Sequence, residues 1–374
     1  DGNQHFTENK TFGDAYDVGT ASTYAQNMVI VKVNGDLEID SRVTVAPYYD
    51  KSYGGPKGFT LYVTGKLTNK GTIDNSHGAY AEGQNVYLWK NTDGTYEYVP
   101  KVGASGGSRV TNRTGDIRGN SGIAGTGRQT GGGGSGAHHG DFYSGSGAAG
   151  TSYSGGTGGA ASNQANGENG AANGGTGGYS SSYGSGAGNP YNGTGGLLTI
   201  YANEYENKGT ISAKGASGGS STYGGGASGG GTVNIFTNQS TGINQLGIIT
   251  NTRYEEIKGA TTMTGGTGLG SGAKIGGSGG NGTVNIGEIR NGQYYDLKAI
   301  IEQDKEQYIK DVTIEGESIL SIINNNNLKT GYYYFVVNGE KYPIHMITLD
   351  GNQHFTENKT FGDAYDVGTA STYA

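Results

Sequence analysis

Between residues 26 and 100 the chain alternates apolar and polar positions over short runs. VIVKV (29–33), LEI (37–39), VTV (43–45) and TLYVTGKL (60–67) follow a two-residue period. That period sends successive side chains to opposite faces, so each run predicts a strand buried on one side. Asn-Gly, Asp and Gly-Gly separate the runs, and NGD at 34–36 predicts a tight turn. Strands this short and regularly spaced suit a sandwich, a barrel or the rungs of a β-solenoid.

The alternation vanishes over 103–195, where Gly mixes with Ser, Ala, Thr, Asn and scattered Tyr. A flexible linker is one reading of such a composition. The stretch is far longer than ordinary loops, which favours an ordered alternative. Gly-rich chain can run as extended threefold helices packed side by side, with backbone groups bonding between neighbours. Strict Gly-X-Y periodicity is absent, which excludes collagen. The region therefore predicts a polyglycine-II-like layer in which side-chain burial is a minor term.

Strand patterning returns over 196–286, and it returns as an echo. GLLTIYANEYENKGTISAKG (196–215) follows GFTLYVTGKLTNKGTIDNSHG (58–78), with NKGTI in both, and GTVNI occurs at 231–235 and again at 282–286. Such echoes predict related rungs stacked on one another. Residues 287–349 read as a small β-rich domain. Within it, Leu297, Ile300, Ile301 and Tyr308 recur at near-helical spacing and predict a helix over roughly 296–310. The expected fold class is all-β: a solenoid-like short-strand region, a glycine-rich layer and a small C-terminal β-rich domain.

One feature is independent of any pattern. DGNQHFTENKTFGDAYDVGTASTYA occupies both 1–25 and 350–374. Chance does not produce this match. A tandem array sampled over one unit and an overlap would carry it. So would a filament whose terminal segment docks on the next subunit as an added strand. An artificial duplication and a duplication without an assembly role are the remaining readings. The first two are favoured jointly, because head-to-tail contact without closure generates fibres. The aromatic anchors expected to carry docking are His5, Phe6, Phe12 and Tyr16, with His354, Phe355, Phe361 and Tyr365 in the second copy. The organisation is thus 1–25 linking segment, 26–102 short strands, 103–195 glycine-rich, 196–286 strands with glycine-rich returns, 287–349 small domain and 350–374 second linking segment.

Composition narrows the function classes. Of 374 residues, 76 are Gly and 28 are Tyr, and the net charge is −7, so no basic footprint for nucleic acid exists. Apolar runs are too short to span a membrane. Cys is absent, which removes disulfides, thiol catalysis and thiolate metal sites. The chain starts at Asp1, and the natural N-terminus is expected to lie upstream.

The runs GKLTNKGTI, AEGQNVYLWKNTDGTYEYVP, GTSYSGGTGG and GTGGLLTIYA resemble glycine-rich surface or tail-fibre-like proteins of Firmicutes and their phages, over about residues 26–286. The resemblance implies an extracellular or virion-surface fibre with adhesive capacity, and no enzyme. The duplicated ends favour a bacterial surface filament over a phage fibre.

Chemistry is sparse. His138, His139 and Asp141 fall together, yet adjacent His side chains point apart in extended chain, so no metal is expected there. Carboxylate pairs such as Glu255 with Glu256 and Asp14 with Asp17 lack a glycosidase context. GxGxxG-like strings in so glycine-rich a chain say nothing about phosphate, because the strand–turn–helix context is missing. No catalytic residue, cofactor or metal ligand is assigned. The remaining surface signal is Tyr143, Tyr153, Tyr179, Tyr183, Tyr191 and Tyr223, which sit among glycines and are candidate glycan contacts if they project. The competing expectation is that these rings pack as spacers between Gly-rich segments. The expected function is a self-joining extracellular filament subunit. The alternative is a glycan-binding adhesin.

Overall fold

A computed structural model describes residues 2–13, 28–49, 55–78, 83–111, 115–139, 144–161, 193–219, 223–238, 261–296 (apart from 263, 266, 269–271 and 291), 313–315, 331–337 and 340–346. The first strands are β1 (Gln4–Phe6), β2 (Lys10–Phe12), β3 (Met28–Val33), β4 (Leu37–Ile39), β5 (Thr44–Pro47), β6 (Gly58–Asn69) and β7 (Thr72–Asp74). Next come β8 (Val86–Lys90), β9 (Tyr96–Val99), β10 (Asp116–Ile117), β11 (His138–His139), β12 (Leu197–Asn207), β13 (Thr210–Ser212) and β14 (Thr232–Thr237). The rest are β15 (Thr261–Thr262), β16 (Thr283–Arg290), β17 (Gln293–Asp296), β18 (Thr313–Glu315), β19 (Gly331–Val337) and β20 (Glu340–Met346). The fold is all-β. Among the described residues the one helical element is the 3-10 turn Gly272–Lys274, and no helix is long and apolar enough to cross a membrane.

Two compact units divide the chain, one formed by Asp1–Gln239 with Ile257–Tyr294, the other by Ser240–Glu256 with Tyr295–Ala374. In the second unit β18 runs parallel to β19, and β19 pairs antiparallel with β20 from Gly331↔Met346 to Val337↔Glu340. The helix expected over 296–310 lies outside the described residues, except that Asp296 ends β17.

In the first unit two sheets are built mainly from parallel strands in matching order. One runs β1-β4-β6-β12-β14-β16-β17 with β3 beside β6, the other β2-β5-β7-β13-β15. The sequence echoes are neighbours in these sheets. NKGTI meets NKGTI with Thr72↔Thr210 and Ile73↔Ile211, and GTVNI meets GTVNI from Thr232↔Thr283 to Ile235↔Ile286. Parallel in-register pairing sets like side chains over like. Leu37, Leu67 and Tyr205 form one buried column, and Val45, Ile73 and Ile211 another. Each fully buried aliphatic side chain contributes about 1.5–3 kcal/mol. Burial pushes the Tyr205 phenol well above its ordinary range.

Asparagines in the columns hydrogen-bond to one another. Asn69 Nδ2 donates to Asn207 Oδ1 at 2.7 Å, and Asn285 Nδ2 to Asn234 Oδ1 at 3.2 Å. Such Asn ladders recur wherever in-register strands stack. An aromatic ladder runs Tyr62–Tyr201–Phe236–Tyr294, with centroids 5.8, 5.1 and 5.7 Å apart. Gly287 stands across from Phe236, and a Cβ there would strike the Tyr294 ring, so glycine makes room for the last rung. The Arg128 guanidinium caps that ring at 4.9 Å and pairs with Glu97 at 2.9 Å.

On the solvent side of β12, Glu206 receives Lys208 and Lys66, each at 2.6 Å, and these hold its carboxyl near about 2. A depressed carboxyl contributes stability above its unfolded value of 4.5 that is lost as pH falls toward the folded value. The melting temperature is therefore expected to fall as the pH is lowered below 4.5 toward about 2, and Glu206→Gln to flatten part of that slope in differential scanning calorimetry. The effect is modest, because the group is partly solvated.

The glycine-rich segments of the first unit form a layer held by backbone bonds. Its centre is 130–138, buried throughout. The N–H groups of Gly131, Gly134 and Ala137 donate to the carbonyls of Gly230, Ala227 and Gly224 at 2.9, 2.8 and 2.9 Å. Those of Gly132 and Ser135 reach Ile123 and Asn120, and those of Gly133 and Gly136 reach Ala148 and Gly145. Every third residue thus addresses the same neighbour. The carbonyls of 130–135 receive N–H groups from three further segments on the same period: Ala104 and Gly107, Gly156 and Gly159, Gly280 and Gly277. At the glycines of this segment there is no room for a side chain. A Cβ on Gly131, Gly132, Gly133, Gly134 or Gly136 would strike a neighbouring backbone carbonyl.

Candidate docking site

The first copy of the duplicated segment is a guest on the edges of the two stacks. β1 lies parallel on β4 with Gln4↔Leu37, His5↔Glu38 and Phe6↔Ile39, and β2 lies parallel on β5 with Lys10↔Val45 and Phe12↔Pro47. Backbone bonds tie the two: Gly2 N–H to Asn34 at 2.9 Å, Gln4 N–H to Asp36 at 2.8 Å, Asp40 N–H to Phe6 at 3.0 Å and Tyr48 N–H to Phe12 at 2.9 Å.

Side chains of the segment complete the turns of the host. Asn3 Oδ1 accepts the Asp36 N–H at 2.9 Å, and Asn9 Oδ1 accepts the Thr44 N–H at 2.8 Å. Host residue Gly35 has φ +144°, and a Cβ there would press on Gly2 and Asn3, so the turn accepts the guest only as glycine. Phe6 is 9% exposed over Ile39 and meets Phe12 at 5.9 Å between centroids. Phe6 and Phe12 are therefore the apolar anchors of HFTENKTF, over Ile39 and Pro47, while Gln4 and Lys10 lie over Leu37 and Val45 at the ends of the two columns. Lys10 pairs within the segment to Glu8 at 2.7 Å.

At the rim, His5 Nε2 stands 3.0 Å from Asp40 Oδ1. That hydrogen bond, opposed by desolvation and reinforced by the charges of Asp40 and Glu38, raises the imidazole above its usual value. Glu38 is held by Lys70, which it raises in turn. A surface depression of about 280 Å³ lies here, lined by Asn3, His5, Asp36, Glu38, Lys66 and Thr68 among others. Sequence reasoning named His5 but missed Glu38 and Asp40, because only the strand register brings these positions together.

Of the other expected site residues, Tyr16, His354, Phe355, Phe361, Tyr365, Tyr143, Tyr179, Tyr183 and Tyr191 lie outside the described residues, as do Asp14, Asp17, Glu255, Glu256 and Asp141. Tyr153 and Tyr223, candidates for projecting glycan contacts, are each 6% exposed and packed. Tyr153 joins Leu88, Val99, Leu197 and Phe236, and the Tyr223 hydroxyl donates to Asp116 at 3.0 Å. His138 and His139 lie on β11 against β10, with His138 buried. The exposed tyrosines are elsewhere. Tyr87, Tyr96 and Tyr98, 64, 44 and 45% exposed, stand on the β8–β9 hairpin.

Comparison with family models, curated proteins and solved structures finds no match to this chain.

Proposed function

We propose that the chain is a structural unit of an extracellular filament, of the bacterial surface kind, joined head to tail through the duplicated segment. The observation that carries this reading is the seating of residues 2–12. One copy of HFTENKTF occupies the edges of β4 and β5 in register, and the same chain holds a second copy of that ligand. The two parallel stacks read as the rungs of a solenoid-like body, extended at its edge by the segment. The three-residue bonding period of the glycine layer reads as polyglycine II. The role is mechanical rather than catalytic: load falls on parallel ladders and on a lattice of backbone bonds.

The second reading is an adhesin. It is favoured by the hairpin face of Tyr87, Tyr96 and Tyr98, where two rings stand 4.7 Å apart, an arrangement suited to stacking on sugar rings. A glycan array separates the two, because a pure filament subunit binds no glycan specifically.

The direct test is electron microscopy of native material beside a denaturing gel after boiling. Filaments that collapse to the band of a single subunit establish subunits joined by segment exchange. Filaments that persist as a very large band establish a covalent array. Monomers or trimers without filaments refute the structural reading and promote the adhesin.

A further inference from the structure

We propose that His5, Glu38 and Asp40 form a binding site for a divalent transition metal of the zinc class, placed across the seam between the docked segment and its host edge. Their ligand atoms all lie within 4.8 Å of one another, and among the described residues they are the cluster of His, Asp and Glu side chains that does so. His5 Nε2 and Asp40 Oδ1 are 3.0 Å apart, a hydrogen-bond distance that a small side-chain rotation opens to the roughly 3.4 Å between adjacent ligands of a tetrahedral ion about 2.1 Å from each. One imidazole with two carboxylates is a donor set for zinc-class ions rather than for calcium or magnesium, which take oxygen ligands.

The register sets the third ligand. His5 and Glu38 are direct cross-strand partners, so both side chains leave the same face. Glu38 now bonds Lys70, and its flexible side chain swings from that ammonium to the ion. The proton shared by His5 and Asp40 is released as the metal takes its place. The adjoining depression admits water to complete the coordination shell.

The ligands come from both sides of the seam. His5 belongs to the segment, whereas Glu38 and Asp40 belong to the host. Ion binding therefore stabilises the docked state by linkage. All three ligands lie in one chain, so binding itself does not depend on the filament reading. The consequence for joining copies, with His354 supplying the imidazole, rests on that reading.

The test is a titration of the full, metal-stripped chain with zinc chloride near neutral pH, followed by calorimetry and by melting. Wild type is expected to show a saturable site and a raised melting temperature. His5→Ala and Asp40→Asn are expected to weaken that site roughly tenfold or more, on the scale of ligand-shell losses, and Glu8→Gln to leave it unchanged. Melting of the metal-free variants reports that they remain folded. Cobalt(II) substitution gives an independent readout, a visible absorption band present in wild type and lost in Asp40→Asn. No saturable binding at millimolar zinc, or equal affinity in His5→Ala, overturns the site. Filaments that form in metal-free protein while zinc binds nothing leave the joining mechanism standing alone. Zinc binding without filaments leaves the site standing alone.

Discussion

Gly133→Ala is expected to destabilise the first unit by about 3 kcal/mol or more, at the upper end of overpacking costs, and to lower its melting temperature accordingly. Gly133 lies within the central segment of the glycine layer. A methyl there points at the Thr157 carbonyl, a backbone atom with no rotamer in which to retreat. Accommodating it moves the 155–161 segment, which is tied to the centre by Gly156 N–H to Gly131 at 2.9 Å and Gly159 N–H to Gly134 at 2.9 Å. The loss is therefore cooperative, as when a residue other than glycine enters the axis of a triple helix. Gly127→Ala is the control. Gly127 has φ +61° with nothing within 4 Å of an added Cβ, so its cost is the left-handed strain of about 1–2 kcal/mol alone. Thermal or urea unfolding of the two variants separates the mechanisms. Equal losses would mean that the layer tolerates side chains and is not close-packed.

The central glycines also show where sequence reasoning stops. Strands 29–33, 37–39 and 60–67 were legible because side chains alternate, and the structure places strands at Met28–Val33, Leu37–Ile39 and Gly58–Asn69. The stacking of β6 with β12 and of β14 with β16 was legible because like packs on like, leaving NKGTI and GTVNI written twice. In the glycine layer the bonding groups are backbone, which every residue carries. Nothing in GGGGSGA says that Gly131 addresses Gly230 while Gly132 addresses Ile123. The composition announces that close approach is possible and is silent on which segments approach.

The docking edge was legible in half. The aromatic anchors Phe6 and Phe12 stand out in a polar peptide, and they pair with Ile39 and Pro47 of the host. The host could not be read. β4 and β5 are short, and neither LEI nor TVAP carries a pattern that marks a receiving edge. Gly35, Asp36 and Asp40 acquire their roles from the guest they receive. The tyrosines among glycines carried two readings for a related reason: a ring beside glycine has room to project, and equally has room to lie down as a spacer. Tyr153 and Tyr223 lie down, and three of the exposed rings belong to a hairpin whose alternation Tyr96-Glu97-Tyr98 presents two of them to solvent.

Removing residues 1–25 is expected to promote end-to-end joining, because it frees the receiving edge from the chain's own first copy. The deletion strips β1 and β2 from the stacks and leaves the edges of β4 and β5 unpaired, with Leu37, Ile39 and Val45 uncovered. An open edge above apolar columns is a template for strand addition. The matching ligand survives at 354–361 of the same polypeptide, and its sequence is identical to that of the segment removed. Seating it restores the covering of Ile39 by a phenylalanine ring, here Phe355, and the contact of that ring with Phe361. Truncating a buried phenylalanine costs about 3–5 kcal/mol. Even about 3 kcal/mol for the pair corresponds to a roughly hundredfold or greater loss of affinity. Phe355→Ala with Phe361→Ala in the shortened chain is therefore expected to remain monomeric at concentrations where the shortened chain alone polymerises. Light scattering coupled to size exclusion, with electron microscopy of the void fraction, reads the outcome. A shortened chain that stays monomeric would show that the second copy does not recognise the edge the first one covers, and the head-to-tail mechanism would fall with it.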